Sequence, residues 1–253
     1  MRKTILFTLF LSLFAVGCQQ VKRPQLTIAT AANMQFAMKA IVHQFSRETG
    51  VQCKVIISSS GKLTAQIKSG APYDVFVSAD MKYPETLYKA GFGFAPPKIY
   101  AYGKLVLWSL KKQGALSLQE LSDQNIKHIA LANPKTAPYG VAAEQVLKAT
   151  GLFDAVKDKL VFGESIAQTN QFITSGTADI GFTAQSVVLA PEVKGKGSWI
   201  VIDPDLYKPI AQGILVLKHG EKHNNEAVKL VDFLFSKKGR TILEIYGYKV
   251  ADR

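Results

Sequence analysis

A chain of 253 residues, 47% apolar and 20% charged, can bury one large core or two smaller ones, which excludes a disordered or low-complexity chain. Lys and Arg outnumber Asp and Glu by 31 to 19, a net charge of +12, but the basic residues are scattered rather than interleaved with aromatics. The charge therefore reads as a solvated surface beside an anionic membrane rather than a nucleic-acid footprint, and two cysteines exclude a disulfide framework.

The chain starts with a basic pair, Arg2 and Lys3, and an almost unbroken apolar run from Ile5 to Val16 that ends in small residues. This is the pattern of a secretory leader over residues 1–17, and the run falls short of the roughly 20 apolar residues a membrane span needs. Ala15-Val16-Gly17-Cys18 is similar to a bacterial lipobox, with alanine where leucine is commoner, so Cys18 is expected to carry lipid, a plain cleaved leader being the alternative. Residues 18–24 are polar, end in Pro24, and suit a tether between lipid and domain. These features place the protein in the periplasm or cell envelope, anchored to a membrane. Cys53 is then left alone in an apparent strand and reads as a buried structural thiol. His43, His128, His219 and His223 are dispersed, and the last two flank a polar turn at Gly220 that makes a poor metal site.

Past the tether, short β-branched runs alternate with amphipathic stretches. Strands are expected at Leu26–Thr30, Cys53–Ile57, Asp74–Ser78, Leu105–Trp108, Ile129–Ala132, Leu160–Phe162, Ile180–Thr183 and Ile214–Leu217. The first helix shows its stripe in Ala37, Ile41 and Phe45, with Met34 and Met38 beside it. The alternation predicts an α/β fold with parallel sheets. With no repeat or long linker, a second lobe must form by crossing over, at Tyr100–Lys104 and Lys208–Gly213. Lobe I is then 25–102 with 212–253, and lobe II is 103–211, hinged around a cleft. A last helix over Asn225–Tyr246, with Val228, Val231, Leu234 and Phe235 at helical spacing, should pack back on lobe I.

Ligands of open α/β sheets sit beyond the carboxyl ends of strands, where helices begin. Four such junctions stand out: Ala31-Ala32-Asn33, Ser58-Ser59-Ser60-Gly61, Pro138-Tyr139-Gly140 and Gly163-Glu164-Ser165-Ile166. Asn33 is a favoured N-cap residue, as are the serines. Singly these residues cap helices in any α/β protein; together they form two pairs of neutral donors facing an anion. Hydrogen bonds to an ionised ligand contribute about 1.5–3 kcal/mol each, so several reach the roughly 8 kcal/mol of micromolar binding without a buried cation. Gly61-Lys62 does not complete a phosphate-binding P-loop, because Ile56 and Leu63 occupy positions where that motif needs glycine and Ser or Thr. Asp74 and Asp80 lie across a strand end at a spacing that suits structural roles, with Asp80 starting the next helix. A nucleophilic role for Ser58, Ser59 or Ser60 lacks a Gly-x-Ser-x-Gly elbow and a nearby histidine.

At these junctions the sequence resembles the periplasmic molybdate-binding protein family. The resemblance is carried by Ser59-Ser60-Gly61-Lys62-Leu63 and by the run from Gln66 to Asp80, with support from Ala29–Asn33, Asn133-Pro134, Pro138–Gly140 and Gly176–Gly181. It implies a two-lobed type II periplasmic-binding-protein fold, not an enzyme, that closes on an oxyanion held by neutral donors. It also implies contacts from the Ala32 backbone with Asn33, from Ser60, from Tyr139 and from the Ile166 backbone N–H. Molybdate, and tungstate with it, would be bound as the transported ligand through these residues, with no direct protein–metal bond and no cofactor. The implied partner is an ABC permease, with the receptor a monomer. Some members place serine where Asn33 stands, and some use a tyrosine at the position of Ala184, for which Tyr139 can compensate. Another small oxyanion such as sulfate, or an anion-sensing lipoprotein role, is the alternative. A donor-only site disfavours protonated phosphate, which needs an acceptor.

Overall fold

The computed structural model describes residues 25–112, 114–219 and 224–251. The expected leader 1–17, the tether 18–24 with Cys18, and His223 lie outside the described residues. Strands β1 (Gln25–Ala31), β2 (Gln52–Ser58), β3 (Val75–Val77) and β4 (Lys98–Gly103) begin one sheet. Then β5 (Leu105–Ser109), β6 (Ile129–Ala132), β7 (Leu160–Gly163), β8 (Ile180–Ala184) and β9 (Ser198–Val201) build a second, before β10 (Ile210–Val216) and β11 (Lys249–Val250) return to the first. The six-stranded sheet runs β11-β4-β10-β3-β1-β2 and the five-stranded sheet β7-β6-β8-β5-β9.

Alternation along the first sheet feeds two cores. Leu26 and Ile28 of β1, with Val75 and Val77 of β3, pack on helix α1 (Gln35–Thr49) through Ala37, Met38, Ile41 and Phe45. Ala29 and Phe76 point the other way, onto Leu63 and Ile67 of α2 (Ser60–Lys68) and Leu87 of α3 (Lys82–Lys89). This is the period-two signature of a strand covered on both faces. The second sheet shares one core with α4 (Pro138–Ala149), α5 (Phe153–Val156), α6 (Ile166–Thr174) and α7 (Gln185–Val188).

Three expectations change. Both sheets are mixed: β10 runs antiparallel to β3 and β4, and β5 antiparallel to β8 and β9. The stretches read as crossings are largely strand, since β4 covers Lys98–Gly103 and β10 starts at Ile210, leaving Lys104 as the step from β4 to β5. The last helix is two, α8 (Asn224–Phe235) and α9 (Lys237–Ile245). Ser236 breaks it: its Oγ accepts from Gly239 N–H at 3.2 Å and caps α9, and a Cβ on Gly239 would lie 2.2 Å from the Phe233 carbonyl oxygen. The buried face of α8 is Ala227, Leu230, Val231, Phe233 and Leu234, while Val228 is exposed.

The turn into β8 is fastened by Asp179, which pairs with Lys111 Nζ at 2.6 Å and accepts from the N–H groups of Lys127 at 2.8 Å and His128 at 2.9 Å. Burial alone would raise this carboxyl, but Lys111 and the two backbone donors outweigh it and hold the pKa at about 2. A depressed carboxylate stabilises the fold above the unfolded-state value near 4 and loses that contribution as pH falls toward 2. Asp179→Asn should therefore cost about 1 kcal/mol at neutral pH, after allowance for solvent screening, and nothing near pH 2. Urea unfolding of both proteins at several pH values measures this; a difference that stays constant with pH would reject the carboxylate's role.

Candidate oxyanion-binding site

Five chain segments meet where the two sheets face each other. Ala31, Ala32, Asn33, Ser59, Ser60 and Ala79 come from the six-stranded side, and Ala137, Pro138, Tyr139 and Ile166 from the other. They line a small cavity, about large enough for one water-sized group. In this closed arrangement the two lobes leave little space between them. None of the lining residues carries a charge.

The five residues singled out in the sequence, Ala32, Asn33, Ser60, Tyr139 and Ile166, are brought together here. Ser60 and Ile166 are the first residues of α2 and α6, and Tyr139 is the second of α4, so their N–H groups have no acceptor within their helices. Pro138 suits the first position of α4 because it has no N–H to leave unpaired. The α2 start is fixed by Ser59, whose Oγ accepts from Lys62 N–H at 3.4 Å. This leaves Ser60 free of capping, and its Oγ instead accepts from Ala79 N–H at 3.0 Å. The Tyr139 hydroxyl oxygen likewise accepts, from Gln212 Nε2 at 3.2 Å. Each hydroxyl thus has its acceptor side occupied and one proton to give. Burial, with Tyr248 and Tyr207 nearby, pushes the Tyr139 phenol well above the usual tyrosine value, so it stays a neutral donor at any ordinary pH.

Asn33 does not cap α1. It lies within a 3₁₀ turn, Ala32–Met34, and its Nδ2 donates to Gln212 Oε1 at 2.9 Å and to Tyr248 Oη at 3.1 Å. Its Oδ1 is buried without a partner among the described residues, and the backbone N–H groups of this junction are further donors. Gln212, Tyr248, Tyr100 and Ser186, which surround Asn33 and Tyr139, were not visible as site residues in the sequence. Ala184 is buried in β8 and does not line the cavity.

The lobes touch at the cavity mouth. Gly61 N–H donates across the gap to the Thr136 carbonyl at 2.9 Å, and Lys62 pairs with Glu164 at 3.0 Å in the open. The acidic residues near the strand ends are structural: Asp74 accepts from Thr27 N–H at 2.6 Å, and Asp80 from Tyr83 N–H at 3.3 Å at the start of α3. Cys53 is half-buried rather than buried, in edge strand β2, and burial pushes its thiol up to about 11, too high for a nucleophile at neutral pH. Among the described residues no three His, Cys, Asp or Glu side chains cluster as metal ligands, and no helix is long and apolar enough to cross a membrane.

A family model described as bacterial extracellular solute-binding protein matches residues 26–249. The chain is 43% identical over 230 residues to the molybdate-binding protein ModA of Azotobacter vinelandii, covering 88% of this chain and 89% of the relative. It is 38% identical over 221 residues to ModA of Rhodobacter capsulatus, covering 87% and 86%. The solved periplasmic molybdate-binding protein of A. vinelandii superposes with a TM-score of 0.84 at 35% identity, over 90% of this chain and 100% of that one. The sulfate-binding protein SubI of Mycobacterium tuberculosis, at 15% identity and a TM-score of 0.73, shares the fold alone. With its two lobes, interlobe cavity and these relatives, the chain belongs to the bacterial extracellular solute-binding protein family, and it is a binding protein rather than an enzyme.

Proposed function

We propose that this protein captures molybdate, and tungstate with it, in the interlobe cavity and delivers the anion to an ABC permease as a monomeric receptor, anchored by lipid on Cys18. The observation that carries the reading is the cavity itself: compact, uncharged, and ringed by N–H groups of helix starts and by the hydroxyls of Ser60 and Tyr139. A fully ionised oxyanion asks only for donors, and helix N-termini favour negative charge. The relatives named for molybdate binding support the choice of anion. The transported ligand is the only small molecule the site requires, with no resident cofactor. The anchor rests on the leader and the Ala15–Cys18 motif.

Titration calorimetry on residues 19–253 tests the choice of ligand. Molybdate and tungstate should bind with micromolar affinity or better, equivalent to about 8 kcal/mol or more, and sulfate, of equal charge but smaller, more weakly. Sulfate binding tighter than molybdate would overturn the assignment of the anion.

A further inference from the structure

We propose that Gln212 is the positioning residue of this cavity: it grips the Tyr139 hydroxyl from behind and turns that hydroxyl's proton toward the bound anion. The proposal rests on the oxyanion reading of the site. Gln212 is fully buried in β10. Its Oε1 accepts from Tyr100 Oη at 2.6 Å and from Asn33 Nδ2 at 2.9 Å, so both lone pairs of the amide oxygen are used. With the amide oxygen on these two donors, Nε2 faces Tyr139 at 3.2 Å, while Asn33 Oδ1 is buried without a partner among the described residues. A phenol oxygen that accepts from one side has its single proton left for the other.

Two features of the chain make room for this contact. The pairing of β10 with β4 slips between Gln212 and Gly213, a bulge that re-aims a side chain. Residue 103, at the end of β4, is glycine: a Cβ there would lie 2.0 Å from Tyr139 Oη and 2.4 Å from Gln212 Nε2. The same cluster holds the Asn33 carbonyl, which accepts from Ser186 Oγ of the far lobe at 2.7 Å and from Tyr248 Oη at 3.0 Å. Gln212 belongs to one sheet and Tyr139 to a helix on the other, so bringing the lobes together and aiming the donor are one event.

The test is molybdate affinity of Gln212→Met and Gln212→Glu, each alone and with Tyr139→Phe, with ligand-free melting curves confirming that each variant folds. Gln212→Met keeps volume but cannot donate, and should weaken binding about tenfold in the parent and hardly at all beside Tyr139→Phe, because it acts through that hydroxyl. In Gln212→Glu the carboxylate draws the Tyr139 proton to itself, and affinity should fall by about 100-fold at pH 8 and recover toward pH 6 as the side chain gains a proton that replaces Nε2–H, while the parent stays flat. Equal losses in both backgrounds, or a pH-independent Gln212→Glu, would show a packing role only and overturn the proposal. If Tyr139→Phe alone binds as the parent does, it is instead the assignment of Tyr139 to the site that fails. Should the glutamate variant not fold, the methionine cycle decides alone.

Discussion

Replacing Ser60 with alanine and Tyr139 with phenylalanine in the same chain is expected to weaken molybdate binding by roughly 10²- to 10⁴-fold, two charge-assisted hydrogen bonds at about 1.5–3 kcal/mol each. The single variants should each lose about 10- to 100-fold, and the pair can depart from additivity because both donors act on one ligand. Stability has to be read separately. Ser60 Oγ is the acceptor for Ala79 N–H, so Ser60→Ala leaves a buried donor unpaired at a cost of about 1–3 kcal/mol whether or not anion is present. Tyr139→Phe similarly strands Gln212 Nε2. Calorimetry below each variant's unfolding range isolates the affinity term. Affinity unchanged in the double variant, with heats of binding as large as the parent's, would mean that backbone N–H groups alone hold the anion.

The junctions themselves were legible because each has a local cause. Pro138 opens a helix, Ser59 caps one, and Ile129–Ala132 is a short buried strand that must stop before either. Such signals span a few residues, and the strand starts and ends they mark fall within a residue or two of the structure at most positions. What the chain did not disclose is what those residues touch. Asn33 looks like a cap from its neighbours alone, yet its amide is bound to Gln212 and Tyr248, 179 and 215 positions away. Strand direction was equally hidden. Ile210–Val216 has the same apolar make-up whichever way it runs, and its antiparallel course between β3 and β4 follows from where the chain re-enters the first lobe. Strand β4 is hard to see in the sequence because Tyr100-Ala101-Tyr102-Gly103 lacks β-branched residues; its place comes from cross-strand pairing with β10 and β11.

Closure makes the second large prediction. Gly61 sits in the first turn of α2, where a Cβ would lie 2.9 Å from Tyr83 Oη and 3.0 Å from both the α-carbon and the carbonyl oxygen of Thr136 on the opposite lobe. The Thr136 atoms are backbone and cannot swing away, and the Gly61 N–H bond to Thr136 at 2.9 Å depends on the same approach. Glycine is otherwise a poor choice inside a helix, costing about 0.5–1 kcal/mol relative to alanine. Gly61→Ala should therefore leave the separated lobes as stable or more so, yet weaken the closed, anion-bound form. Gly61→Val, with a branched side chain in the same gap, should cost the closed form about 1–3 kcal/mol, roughly 5- to 150-fold in affinity. The loss should reside in the dissociation rate, because encounter with the anion occurs with the lobes apart and the clash arises only as they meet. Lys62→Ala, which removes only the exposed pair with Glu164, provides the contrast and should change affinity by less than about 1 kcal/mol. Stopped-flow association and dissociation of molybdate separates the two: a slower association with an unchanged dissociation rate in Gly61→Val would place the obstruction before closure and contradict the steric role assigned to this glycine.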